Sequence, residues 1–79
     1  MITDRPTAEK ISQIMLEVSS LLNEAAAVMA SSNCSDDEKV AFYKYVGQMM
    51  GTIGLDVLNK IYRTHPSIKP PDYVLPEHL

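Results

Sequence analysis

The residues able to do chemistry are few in this chain. Cys34 is its one thiol, and it stands just before a helical segment, where a helix N-terminus can favour the thiolate. No histidine lies near it in sequence to serve as a base, so an inert turn cysteine is the simpler reading. Asp36, Asp37 and Glu38 form an acidic run. Adjacent acids on a helix point in different directions, and capping of the helix start accounts for all three without a cation. His65 and His78 are 13 positions apart and have no cysteine or second histidine at metal-ligand spacing. There is no phosphate loop, dinucleotide glycine pattern or carboxylate–histidine helix motif. Asp56 and Lys60, four apart, are the one polar pair near an apolar helix face, and an i,i+4 ion pair explains them. The expectation is a chain with no catalytic, cofactor-binding or metal-binding residues and no cofactor, hence no enzyme.

Gly47, Gly51 and Gly54 carry more information. They fall inside a helical pattern, where each glycine costs about 1 kcal/mol relative to alanine. On a helical wheel they lie within about 60° of one another, flanked by Val40 and Leu58, beside the main apolar face. Small residues at this spacing let another backbone approach closely. The expectation is a helix-packing interface at Gly47, Gly51, Gly54, Val40 and Leu58, within the chain or between chains. The competing account is a kink near Gly51-Thr52.

The elements that would position these residues are helices. From residue 8 to 30, Ile11, Ile14, Met15, Val18, Leu21, Leu22, Ala25, Val28 and Met29 recur at steps of three and four and make one stripe. Gln13, Glu17, Ser20 and Glu24 stand opposite. Thr7 or Asp4 can cap the start. Ser31-Ser32-Asn33-Cys34 ends this helix, and Ser35 with Glu38 forms a capping box for the next. The second helix is expected from 36 to 64, because Pro66 disfavours helical geometry at His65. Its apolar face is Phe42, Val46, Met49, Met50, Ile53, Val57 and Ile61. A connection this short makes the helices antiparallel neighbours.

Residues 66–79 hold four of the five prolines and are expected to be extended, partly polyproline II. The segment also carries Ile68, Tyr73, Val74, Leu75 and Leu79, more apolar than a disordered tail. Tyr73, Val74 and Leu75 are therefore expected to dock on the hairpin or on a partner chain.

Composition bounds the rest. With 79 residues, a core of this size leaves little stability, and one cysteine cannot form an internal disulfide. Ten acidic against seven basic residues, with a pI near 5.1, argue against nucleic acid. The longest uncharged stretches have 11 residues, too short for a membrane span, and the first residues lack the pattern of a signal peptide. An unpaired cysteine suits a reducing cytoplasm. The sequence thus predicts an all-α antiparallel two-helix hairpin (residues 1–65) with an extended proline-rich tail (66–79), dimerising into a four-helix bundle. The function expected of it is a non-enzymatic protein-interaction module of adaptor, chaperone, regulator or inhibitor type. It would act as a cytoplasmic homodimer with a possible protein partner, without membrane or nucleic acid. The alternative is a small-ligand or metal-binding bundle with a site at the dimer interface.

Overall fold

The computed structural model describes residues 2–73, and the described residues are helical with no strand among them. Helix α1 spans Arg5–Ala30 and starts three residues earlier than the apolar stripe predicts. Asp4 is its cap: the carboxylate accepts the Thr7 backbone N–H at 3.1 Å and the Thr7 hydroxyl as well. Pro6 fits the first turn, where no intrahelical N–H is required. At the other end the Ser31 and Ser32 backbone N–H groups bond the Ala27 and Met29 carbonyls. Lys39 donates from its Nζ to the Ala30 carbonyl at 3.2 Å, bringing a cation to the negative end of the helix.

Helix α2 spans Asp36–Gly51 and opens with the expected capping box. Ser35 Oγ accepts from the Glu38 N–H at 3.2 Å, and Glu38 Oε1 accepts from the Ser35 N–H at 3.0 Å. The helical path continues to Thr64, but not as one α-helix. Thr52–Leu58 is a π-helical segment, followed by α3 at Asn59–Thr64. Gly51 sits immediately before the widened turns and Gly54 within them. The Asn59 N–H reaches back five residues to the Gly54 carbonyl. Thr52 Oγ1 donates to the Gln48 carbonyl at 3.1 Å, and the Thr52 N–H bonds the Gln48 and Met49 carbonyls, so Gln48 accepts twice where the widening begins.

The π-segment decides which residues face inward. A π-turn holds more residues than an α-turn, so each residue advances roughly 80° instead of 100°. Over seven residues the helix lags by about 140° relative to an uninterrupted α-helix. Gly54 and Leu58, which an α-helix would place beside Gly47 and Gly51, turn into line with Val46. Leu58 (1% exposed), Ile61 and Tyr62 then form the core with Ala8 and Ile53.

α3 ends at His65 (φ −131°, ψ 72°), as the following proline requires. The tail departs from expectation at once. Pro66–Ile68 is a 3-10 turn and Tyr73 closes a second turn onto the Pro70 carbonyl, so this part of the tail is not an extended run. Proline at the first position of a 3-10 turn needs no N–H, and its fixed φ suits the turn. Of these residues Lys69 keeps the extended backbone expected of a residue before proline.

The core is confined to one end of the hairpin. No residue from Gln13 to Tyr45 is buried. The linker-proximal half, built from the second half of α1 and the first half of α2, is a two-helix arm without an interior. The radius of gyration, 14.6 Å, exceeds the about 11–12 Å of a compact chain of this length.

Candidate interaction surface

The chemical candidates stay apart. Cys34 is half-buried in the turn, its N–H donating to Ser32 Oγ at 3.3 Å. Asp36, Asp37 and Glu38 are exposed at the start of α2. Asp56 and Lys60 are both exposed, so neither points into the helical pair. His65 sits at the helix end as expected, but its partner is the chain's beginning: Nε2–H donates to the Ile2 carbonyl, 2.8 Å away. Arg5 and Ser67 make a second link between the same segments. His78 lies outside the described residues.

The glycine strip is divided. Gly54 and Leu58 are buried inside the chain, whereas Gly47 and Val40 are exposed and Gly51 is half-buried. A Cβ added at Gly47 or Gly51 would meet nothing within 4 Å. Nothing among the described residues therefore uses the close approach that these two glycines permit.

Tail docking is visible at Tyr73, which packs edge-on against Tyr62 with ring centroids 5.4 Å apart. Burial pushes the Tyr73 hydroxyl's pKa up, and the neighbouring Tyr62 adds to the shift. Lys69 Nζ donates to the Tyr73 carbonyl, and Ile68 joins the core margin. Val74 and Leu75 lie outside the described residues. Beneath this contact is a buried hydrogen bond between Ser12 Oγ and the Tyr62 hydroxyl at 2.5 Å. Ser12 lies beyond the Met15 edge of the α1 stripe, beside Ala8, and the clue to its role was that a buried tyrosine needs a hydroxyl partner.

Two carboxylates are tuned by caps. Asp4 is held below its usual value by the Thr7 hydroxyl, then by the Thr7 N–H, with His65 adding a weaker pull. Glu38 is lowered by the Ser35 N–H and then by the Ser35 hydroxyl. Both are solvent-exposed and serve helix starts.

An uncommitted apolar groove remains among the described residues. Met15, Val18 and Leu22 of α1 with Met49, Thr52 and Ile53 line a groove of about 370 Å³ along one face of the hairpin. On the α1 side of that groove the helical wheel continues to Ile14, Leu21 and Val28, and on the α2 side to Tyr45. Ile14, Leu21, Val28, Tyr45 and Met49 are between 45% and 72% exposed. The α1 stripe contained all of these positions that belong to α1, but periodicity alone did not distinguish its covered edge from its open one. Tyr45 lay outside the predicted apolar face of the second helix. By the same wheel Val40, Tyr43, Gly47 and Gly51 occupy the opposite face of the hairpin.

Fold and surface together describe a helical hairpin with an uncovered apolar face. No protein family, no curated protein and no solved structure matches the chain. Among the described residues, no helix is long and apolar enough to cross a membrane, and no three His, Cys, Asp or Glu side chains gather as a metal set.

Proposed function

We propose that this chain is a non-enzymatic interaction module of adaptor, chaperone, regulator or inhibitor type that works as a cytoplasmic homodimeric helical bundle. The observation that supports this reading is the arm without an interior. From Gln13 to Tyr45 two amphipathic helices run side by side with no buried residue, yet carry Ile14, Leu21, Val28 and Tyr45 in the open. Scattered apolar residues are ordinary on a surface, but a contiguous apolar face is where another molecule binds. A second hairpin supplies the two missing walls of a four-helix bundle.

The experiment is light scattering on the full chain across a micromolar range, with thermal melts at the same concentrations. The expected result is a mass of twice 8.8 kDa and a melting temperature that rises with concentration, because dimerisation is linked to folding by mass action. A mass of 8.8 kDa throughout, with a melting temperature independent of concentration, overturns the reading.

A further inference from the structure

We infer that the second copy seats on the groove face, with the two-fold axis passing close to Leu21 and Tyr45, and that the glycine strip faces away from it. This rests on the homodimer reading and adds which surface is used and in what register.

Three observations carry it. The first is area. At the 150–250 Å² scale of a large side chain, the exposures of Ile14, Leu21, Val28, Tyr45 and Met49 leave about 550 Å² open on one chain. A symmetric pair would then bury about 1,100 Å², above the about 1,000 Å² a biological interface needs, before the groove-lining residues other than Met49 are counted. The opposite face offers Val40 and Tyr43 as its large exposed apolar residues, far less than that requirement.

The second is symmetry. A two-fold interface is self-complementary: if residue i meets j, then j meets i. The open strip of α1 is balanced about Leu21, with Ile14 seven residues before it and Val28 seven after, each about 10.5 Å away along the helix. Laid antiparallel on its copy, the strip sets Leu21 on Leu21 and Ile14 on Val28 at both ends.

The third is the second helix. Asn33 is central in the turn; Leu21 lies twelve residues before it and Tyr45 twelve after. In an antiparallel hairpin the two therefore stand at one level. An axis lying across the hairpin at that level places Tyr45 on Tyr45 as well as Leu21 on Leu21. Glu17 and Glu24, both exposed, border the strip on the solvent side and remain at the rim.

The test uses the full chain. Leu21→Glu changes a residue that is 61% exposed in the single chain, so helical circular dichroism is retained while the scattering mass falls from a dimer to 8.8 kDa. Gly47→Glu, on the far face, leaves the dimer mass unchanged. Register is read by cross-linking in a Cys34→Ser background with a short bismaleimide. Leu21→Cys chains link to each other, whereas Ile14→Cys chains, about 21 Å apart along the helices, do not. Mixing Ile14→Cys with Val28→Cys chains restores the link. A wild-type chain that is monomeric overturns the homodimer reading and this inference with it. A wild-type dimer that survives Leu21→Glu, or that Gly47→Glu dissociates, overturns the surface alone. Cross-linking of Ile14→Cys to itself, but not of Leu21→Cys, overturns the register.

Discussion

Replacing Gly47 and Gly51 by alanine asks directly whether anything rests on the glycine strip. The backbone at Gly51 is ordinary right-handed helix (φ −61°, ψ −43°), and no glycine in the described residues has positive φ. Alanine is therefore compatible with the conformation at both positions. A methyl group at either site meets nothing within 4 Å among the described residues. What remains is the gain in helix propensity, about 1 kcal/mol at each position and about 2 kcal/mol for the pair. In a chain of this size each kcal/mol moves the melting temperature by roughly 4–8 °C, so the double variant should melt about 8–16 °C higher. The assay is far-ultraviolet circular dichroism on heating, run at matched protein concentration because any self-association is linked to folding by mass action. The opposite outcome is equally legible. If a second backbone approached along Gly47 and Gly51, a methyl group would separate the two helices and the melting temperature would fall, the more so for Gly51→Leu. A fall, or no change, refutes the reasoning and returns the strip to the interface.

The remaining predictions concern the core, the tail, the arm and pH. Ser12→Ala leaves the Tyr62 hydroxyl buried without its partner and should cost about 1–3 kcal/mol in chemical denaturation; adding Tyr62→Phe should recover part of that loss. Tyr73→Ala removes an edge-to-face contact and partial burial and should cost about 1–2 kcal/mol, so an unchanged denaturation midpoint would detach the tail from the core. In a Leu21→Glu monomer, amides between residues 20 and 45 should exchange far faster than those of residues 53–62; uniform protection would contradict an arm without an interior. Asp4 and Glu38 have lowered pKa values when folded, so their contribution is complete above their usual 3.8 and 4.5 and is lost as pH falls through the lowered values. Asp4→Asn with Glu38→Gln should flatten that acid limb. Tyr73 is raised above its usual 10.0, so its contribution is complete below pH 10 and lost as pH rises through the raised value, a limb that Tyr73→Phe should abolish.

The hairpin was legible in the sequence because its punctuation is local. Ser35 and Glu38 satisfy each other's backbone within one turn, and Pro66 acts on the residue next to it. Helix ends at Ala30 and Thr64 follow from such short-range chemistry. The inward faces were harder, since they depend on how the helix is wound. A wheel drawn at a constant advance puts Gly54 and Leu58 beside Gly47, yet the π-segment rotates them into the core. Glycine spacing gave the right region for an irregularity but not its type, because a kink, a close contact and a π-segment all tolerate a missing side chain. The clamp between the chain ends was invisible for another reason. Ile2 and His65 are 63 residues apart, and a carbonyl accepting from an imidazole leaves no pattern in residue type. The candidate surface was half legible: the α1 stripe named Ile14, Leu21 and Val28 as apolar, and which edge of the stripe lay open required the position of the second helix.

That position explains why the chain is built as it is. The apolar stripe of α1 covers about 140° of its circumference, from Val28 through Leu21 and Ile14 to Met15. One neighbouring helix covers one flank of such a stripe, and here that neighbour lies beyond the Met15 side, where Ala8 and Ser12 are buried. A helix meant to meet a single neighbour would change to polar residues at positions 14, 21 and 28. Keeping Ile, Leu and Val there exposes apolar area that a lone hairpin gains nothing from and that invites non-specific association. The same width is what a helix needs when it has two neighbours roughly at right angles, as every helix of a four-helix bundle does. The width of the α1 stripe therefore suits a helix with a second neighbour on its open flank, the place that the proposed second copy would fill.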